Sequence, residues 1–547
     1  MTDTGSPRAQ ARSRSSRLAA VLISTGIFLS RIVGLVRERL IAMSFGTGLH
    51  ADVFGAALRM PNVLQNLLGE GTLSASFIPV YSVLLEQGRT QEAGRVAGAM
   101  FALLLALAGG ISLLGVVFAP WLVAVFTPGF TGQRRELMIV LVRILFPMTG
   151  VLVLSAWALG ILNSHRKFFV PYFAPVLWNA AIIGALLAFY RRVDLDSLLF
   201  AAAWGALLGG LLQFGFQLPW VLRLERNIRL NSGRSEPAFR EAVRNAGPAI
   251  LGRGVVQLSA YVDLVLASLL AIGAVACLRY AQTLYVLPLS LFAMSIAAAE
   301  LPELSRERDQ ATSALRDRAV AAVTRAWYYV VPSFVAFVVL GGVFVAGIYE
   351  TGEFTAADVK IVWLTLIAYS AGLLASASAR IYQSTFFALR DTKTPARIAG
   401  LRVLTSAIAG AALMLQFEPV TVGTMTIAAG LFGDVTVGGA PLGPVGLALG
   451  ATAGAWLEWA LLRRSLVRRT GNIGTGGGYL VRMFAAALLA AVAGYGVSLL
   501  AEPMHPLPAA LLVAAVFGVV YLTATLLFGL DEARAFSDAL ARRIRRK

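Results

Sequence analysis

The chain of 547 residues has one cysteine, Cys277, and three histidines, His50, His165 and His505, in three separate loops. A lone cysteine forms no disulfide within the chain and no thiolate metal site. Histidines so dispersed offer no metal-ligand spacing. Charged residues make up 14% of the chain, against roughly 25% in soluble domains, and no hydrophilic stretch is long enough to fold alone. Catalytic patterns are missing too. There is no H-E-x-x-H, no G-x-S-x-G and no Asp-Asp pair for a metal. The glycine-rich "GTGGGYL" at Gly474 lacks the lysine and the preceding strand of a phosphate loop. These absences speak against an enzyme.

Apolar residues are abundant, at 58% with mean hydropathy +0.74. Apolar runs long enough to cross a bilayer recur throughout. We read fourteen spans, near 18–43, 51–87, 94–126, 136–162, 170–190, 196–222, 241–269, 273–300, 320–349, 358–388, 396–416, 440–462, 478–501 and 507–529. The expected fold is an all-α polytopic membrane protein. Basic residues concentrate in the N-terminal tail (Arg8 to Arg17), in the even-numbered loops (Arg166, Arg223, Arg306, Arg463) and in the closing "ARRIRRK". Odd loops hold few: Arg134, Arg135, Arg191, Arg192 and Lys360. By the positive-inside rule both termini are cytoplasmic. The net charge of +18 therefore reports topology rather than a nucleic-acid partner. The first apolar segment is long and charged, so it reads as a retained helix and not a cleaved signal.

The longest hydrophilic connection divides the chain. The expected organisation is a basic tail 1–17, an N-terminal lobe 18–222 with spans one to six, and a linker 223–240. A C-terminal lobe 241–469 holds spans seven to twelve, followed by spans thirteen and fourteen in 478–529 and a basic tail 530–547. Span two ("MPNVL", then "SASFIPVYS") and span eight ("VLPLS", then "AAAELPELS") share an interrupting proline and a later x-Pro-x-x-Ser. Pro61 and Pro288 are expected to kink their helices. Two such six-span copies would be parallel repeats, a transporter plan. The external loop 418–443 reads as a hairpin or a short re-entrant helix.

The spans are not clean. Span one carries Arg31, Arg37, Glu38 and Arg39, and span two carries Asp52, Arg59 and Glu70. Arg143, Arg253, Asp263, Arg279, Arg380, Arg402 and Glu458 lie in later spans. A charge at the bilayer centre costs about 2.5–3.5 kcal/mol on insertion scales. Two readings stand side by side. Ion pairs such as Asp52 with Arg59, or Arg31 with Glu38, each seven residues apart, would hold helices together. But arginines outnumber acids, and unpaired arginines must face water or an anion. A hydrated cationic cavity between the lobes would satisfy them, and the planar guanidinium fork suits phosphate.

The stretch "SRIVGLVRERLIAMSFGTGLHADVFGAALRMPNVLQNLLGEGTLSASFIPVYS" (Ser30–Ser82) resembles the MurJ/MviN lipid II flippases, within the multidrug/oligosaccharidyl-lipid/polysaccharide exporter superfamily. The likeness continues in "GPAILGRGVVQLSAYVDLVLAS" (Gly247–Ser268), "LPELSRE" (Leu301–Glu307) and "FFALRDTKTP" (Phe386–Pro395). It implies a fourteen-helix transporter, not an enzyme, in the bacterial cytoplasmic (inner) membrane. The implied substrate is lipid II, the undecaprenyl-pyrophosphoryl disaccharide-pentapeptide, with membrane lipids and cell-wall synthesis proteins as further partners. Arg31, Arg37 and Asp52 match polar residues of the family's central cavity, and Glu70, in "GEG", a recurrent acidic position. The chain departs from the family at Gln65, Gln282 and Thr283, where relatives carry charges including cavity cations; Arg253 and Arg279 are the candidates to compensate. Some relatives bind sodium between spans seven, eleven and twelve. Asp263 matches the span-seven ligand, whereas Ser406, Gly410 and Glu458 replace the usual partners, so the coupling expected here is a monovalent cation (sodium or a proton) at Asp263, or the membrane potential. No other cofactor is implied. Alternatives of other kinds are an exporter of an O-antigen-type lipid-linked oligosaccharide and a cell-wall scaffold without transport.

Overall fold

The computed structural model describes residues 7–544 apart from 234, 308–311, 423–424, 428–429, 431–435, 438, 472, 475 and 502. Side chains are described from residue 25, except at 63–64, 249, 251–259, 307, 312, 421–422, 425–427, 536 and 539–544 within helices and strands. The chain folds into two compact units, Met1–Val265 and Leu266–Lys547. This boundary falls near the end of the seventh expected span rather than in the hydrophilic connection 223–240.

The first unit contains α1 (Pro7–Phe45), α2 (Leu49–Leu68), α3 (Glu70–Glu86), α4 (Thr90–Val117), α5 (Ala119–Phe126), α6 (Gly132–Ser164), α7 (Phe169–Phe189), α8 (Leu195–Leu224) and most of α9 (Pro237–Ser268). The second expected span is interrupted, but not at its proline. α2 runs through Pro61 and stops at Gly69, whose extended ψ of −145° separates it from α3. Gly69 donates its amide to the Gln65 carbonyl at 2.7 Å. A Cβ there would collide with that same carbonyl, so the break demands glycine. α6 is the buried axis of the unit. Phe77 and Tyr81 of α3, Val96 and Met100 of α4 and Trp157 of α6 share one core. The Trp157 indole donates to the Ala97 carbonyl at 3.1 Å, satisfying its single buried donor.

The second unit opens with α10 (Ala274–Pro288) and α11 (Met294–Glu307), joined by a π-turn over Leu289–Ala293. Pro288 lies immediately before that turn, where the expected kink becomes a change of helical pitch. α12 (Thr312–Val339), α13 (Gly341–Tyr349), α14 (Ala356–Ser370) and α15 (Leu373–Ala388) follow. α14 starts at a Thr355/Asp358 capping box, and α14 and α15 meet at a 42° bend. α16 (Lys393–Phe417) and α17 (Gly443–Thr470) come next, then α18 (Gly477–Leu500), α19 (Pro506–Leu527) and α20 (Asp531–Ile544). Between α16 and α17 the strands β1 (Val420–Val422) and β2 (Met425–Ile427) pair antiparallel, as do β3 (Thr436–Val437) and β4 (Ala440–Pro441). Of the two readings of this loop, the described residues form hairpins.

α16 and α17 pack as closely as helices can. Gly446, Gly450 and Gly454 repeat every fourth residue of α17, and Cβ atoms on them would run into Met414, Gly410 and Ser406 of α16. Small residues at this spacing let backbones meet within a membrane. α18 and α19 cover α12 through an alanine-rich face that includes Ala486, Ala487, Ala490 and Val513. The Tyr521 hydroxyl donates to the Tyr328 carbonyl at 2.6 Å. Their other faces present Val492 (72% exposed) and Val519 (66% exposed).

Exposed apolar side chains of this size across both units mark a surface solvated by lipid. Eleven helices among the described residues are long and apolar enough to cross a membrane, and twelve if α14 and α15 form one span. α1 and α9, whose side chains are described only in part, cover two further expected spans and are not in that count. The protein is a multi-pass, all-α membrane protein.

Candidate functional site

Several charged residues of α1, α2 and α6 are held by partners within the first unit. Arg37 is held on three sides: it donates to Asn179 Oδ1 at 2.9 Å and to Glu38 Oε1 at 2.7 Å, and its guanidinium lies 4.8 Å from the Trp178 ring centroid. Asn179 is itself oriented by its amide, which donates to the Pro175 carbonyl at 2.9 Å. Arg37 is thereby fixed against α7, a neighbour invisible to local spacing. Arg31 lies six residues earlier on the same helix and is exposed. Six residues is about 240° around a helix at 3.6 residues per turn, so the two arginines do not share a face.

Asp52 is fully buried and accepts from Arg134 Nη2 at 2.5 Å. The Arg134 guanidinium stacks 3.7 Å from the Phe130 ring centroid. Arg134, expected as an exposed residue of an odd loop, is instead 6% exposed in the first turn of α6. Nearby, His50 meets Asp196 at 2.6 Å, and Gln133 donates to the same carboxylate at 3.1 Å. At the opposite end of the unit Tyr81 bridges His165 and Glu225, at 3.1 Å each. Burial there pushes the His165 imidazole below its usual range, with Glu225 opposing the shift.

Glu70 is exposed at the first position of α3, where the helix dipole favours a carboxylate. It borders a polar cavity of about 370 Å³ enclosed by α2, α3, α6, α7 and α8. Gln65 and Asn66 of α2, Ser155 of α6 and Gln213 and Gln217 of α8 line it. Gln65, expected as a missing cation, thus stands among amides. The sequence signal for this cavity is Gln213 and Gln217, two amides four apart in an apolar span, to which sequence reasoning gave no role. A second cavity in the unit, about 560 Å³, is apolar, with Met60, Phe118, Trp121, Phe126 and Tyr261 in its wall. Arg253 lies on α9 outside the residues whose side chains are described. Asp263 is half-buried on the same helix. Among the described residues no three His, Cys, Asp or Glu come together as a metal site.

In the second unit Arg279 on α10 places its guanidinium 4.8 Å from the Tyr280 ring centroid. Thr283 turns its hydroxyl back to the Arg279 carbonyl at 2.9 Å. The α16–α17 ladder ends in a charged rung: Arg402 and Glu458 are four residues beyond Ser406 and Gly454, and Arg402 Nη1 donates to Glu458 Oε2 at 2.6 Å. Gln383 donates to the other carboxylate oxygen at 2.8 Å and accepts from Arg380 at 3.3 Å. The motif "FFALRDTKTP" builds a helix start. Asp391 accepts the amides of Lys393 and Thr394 at 3.0 Å each, the Thr394 hydroxyl at 2.7 Å and Arg469 at 2.6 Å. These bonds hold its carboxyl down at about 2.

A family model described as "Lipid II flippase MurJ" matches residues 41–431. This chain belongs to the MurJ family. It is 32% identical over 398 residues to the lipid II flippase MurJ of Burkholderia cenocepacia, covering 71% of this chain and 76% of that one. The probable lipid II flippase MurJ of Vibrio cholerae is 30% identical, with 82% of each chain covered. Among solved structures, a lipid II flippase MurJ in an inward closed conformation superposes with TM-score 0.74 at 23% identity, covering 93% of this chain and 98% of that one. An inward-facing multidrug resistance transporter of the MATE family gives 0.62 at 16% identity. Both share the fold, and the family membership rests on the sequence matches.

Proposed function

We propose that this member of the MurJ family flips lipid II across the bacterial cytoplasmic membrane, from the inner to the outer leaflet, with both termini cytoplasmic. The observation that carries the reading is the family match over residues 41–431. The surface and interior agree with it. Lipid-facing helices enclose polar groups too costly to leave in hydrocarbon, and a substrate with a polar head and a polyprenyl tail needs both environments. The chemistry is transport by alternating access, without covalent catalysis.

Guanidinium forks match the oxygens of a diphosphate, and we assign such a role singly to Arg31 and Arg37 on α1, Arg253 on α9 and Arg279 on α10. Asp52 serves the site indirectly, by pinning α2 to Arg134 of α6. The outer faces of α18 and α19 offer an apolar path for the tail. Coupling to the membrane potential fits an anionic head, since one charge moved through 100 mV is worth about 2.3 kcal/mol. A cation at Asp263 is the other source of coupling. Glu458 is a poor cation ligand here, because its two oxygens already receive Arg402 and Gln383.

The test is translocation of labelled lipid II in proteoliposomes. Protein-dependent exposure of the label on the far leaflet, slowed by reversing the potential, is the expected result. Arg279→Ala should abolish it while the protein still folds. Folded protein that moves no lipid II at either sign of potential would overturn the reading. Internal accumulation of the precursor on depletion separates a flippase from a scaffold.

A further inference from the structure

The polar cavity of the first unit is not built for an anion. Among the described residues of its wall Glu70 is the only ionisable one, and none is basic. Gln217 is 1% exposed. Its amide nitrogen donates to Ser155 Oγ at 2.7 Å and to the Gln213 carbonyl at 3.3 Å. A carbonyl can only accept, so this contact fixes which end of the amide is nitrogen. Gln217 Oε1 is then directed away, and among the described residues it has no protein partner. An unmet buried acceptor is costly, so a donor from outside the protein belongs there. Gln213 donates to the same Ser155 oxygen at 3.0 Å, which fixes the α8 amides against α6. The break at Gly69 turns Gln65, Asn66 and Glu70 toward the same space. At about 370 Å³ the cavity sits at the small end of the roughly 300–1,000 Å³ range of ligand pockets. That volume suits a sugar ring or two and not an entire lipid-linked head.

We propose that this cavity is a subsite for an uncharged N-acetylated amino sugar. Hydroxyl and amide N–H groups of the sugar donate to Gln217 Oε1 and the Glu70 carboxylate. Its acetyl carbonyl accepts from the side-chain amides of Gln65 or Asn66. A phosphate meets no cation among the described residues of the wall. The first unit would thus read the saccharide while arginines elsewhere hold the diphosphate. Naming the sugar as part of a translocated head rests on the flippase reading; the preference for a neutral hydrogen-bond donor does not.

The probe is N,N′-diacetylchitobiose, a neutral disaccharide without phosphate, titrated against the full-length protein in detergent, with inorganic pyrophosphate as the comparison. Saturable binding of the disaccharide is expected, weakened about tenfold in Gln217→Leu as befits one lost buried hydrogen bond. Pyrophosphate binding should be unchanged in that variant. Ser74→Trp, at an exposed position on the rim, plugs the cavity without touching the Gln–Ser contacts. It should cause a comparable loss with an unaltered melting temperature, and it carries the test if Gln217→Leu does not fold. Equal disaccharide binding by wild type and Ser74→Trp would overturn the subsite. So would sodium binding that shows the same dependence on both variants, which would make this a cation site. Wild-type protein that flips lipid II yet binds no disaccharide overturns the subsite alone. Protein that binds the disaccharide yet flips nothing overturns the proposed function alone.

Discussion

Asp52 in the first unit and Glu458 in the second are each buried against an arginine of another helix, and these two pairs are finished differently. In the first, Asp52 is 0% exposed, its partner Arg134 is 6% exposed, and Phe130 closes the guanidinium face. In the second, Glu458 is 1% exposed but Arg402 is 31% exposed, and Gln383 links the carboxylate onward to Arg380. The first is a sealed rivet between α2 and α6. The second is the open end of a helix ladder, with two guanidinium groups near one carboxylate. Similar side chains therefore carry different weight: a pair buried on both sides holds helices together, whereas a partly exposed one with a surplus cation can exchange partners.

The sharpest way to break this contrast is to cut the rivet. Asp52→Ala removes one partner of a buried ion pair, a change that costs about 3–5 kcal/mol. Thermal unfolding in detergent should show a large loss, and Asp52→Leu combined with Arg134→Met should recover most of it. If Asp52→Ala melts like the parent and yet stops transport, Asp52 is a substrate residue, and the distinction drawn between the two pairs disappears.

A smaller effect is expected at the open pair. Arg402→Ala leaves Glu458 with Gln383, for a loss of about 1–3 kcal/mol. It also empties the place of a cation next to a buried carboxylate. The variant should regain stability when sodium replaces choline in the buffer, while the parent should be indifferent. A parent protein stabilised by sodium, with Arg402→Ala no more responsive than the parent, would mean that the cation acts elsewhere, with Asp263 first in line.

The two pairs also mark how far the sequence could be read. Spans were legible because a bilayer demands about twenty apolar residues in a row, and the family motifs stood out for the same local reason. The ladder of Gly446, Gly450 and Gly454 is legible in its four-residue spacing once α16 is known to be its partner. Pairing was not. Neighbours seven apart, Asp52 with Arg59 and Arg31 with Glu38, are what a single helix suggests. The bonds of Asp52 to Arg134 and of Arg37 to Asn179 span 82 and 142 residues, and nothing in local periodicity encodes them. The break at Gly69 was hidden behind Pro61, because a helix can absorb a proline by kinking, whereas Gly69 takes a conformation that a Cβ would forbid.

The smallest expected effect compares the aspartates that start helices outside the membrane, one in each unit. Asp194 accepts the Ser197 amide at 3.0 Å and its hydroxyl at 2.8 Å, and these bonds lower its carboxyl. Asp391 has the Thr394 amide and hydroxyl as its main stabilisers and Arg469 in addition, and sits at about 2 against an ordinary 3.8. A carboxyl depressed in the folded state adds stability above its unfolded pKa and loses it as pH falls through the folded one. Asp391 should thus support the fold fully above pH 3.8 and progressively less down to about 2. Asp194 is exposed, and Asp391 is 17% exposed beside an Arg469 that is 45% exposed, so the ion pair adds little and the cap carries the effect. Asp391→Ala should cost about 1 kcal/mol near neutrality, and its melting temperature should fall less than the parent's on acidification through that window. Asp194→Ala should show the same sign. Equal pH profiles for Asp391→Ala and the parent would mean that the cap of α16 is held by the Thr392 and Thr394 region without its carboxylate.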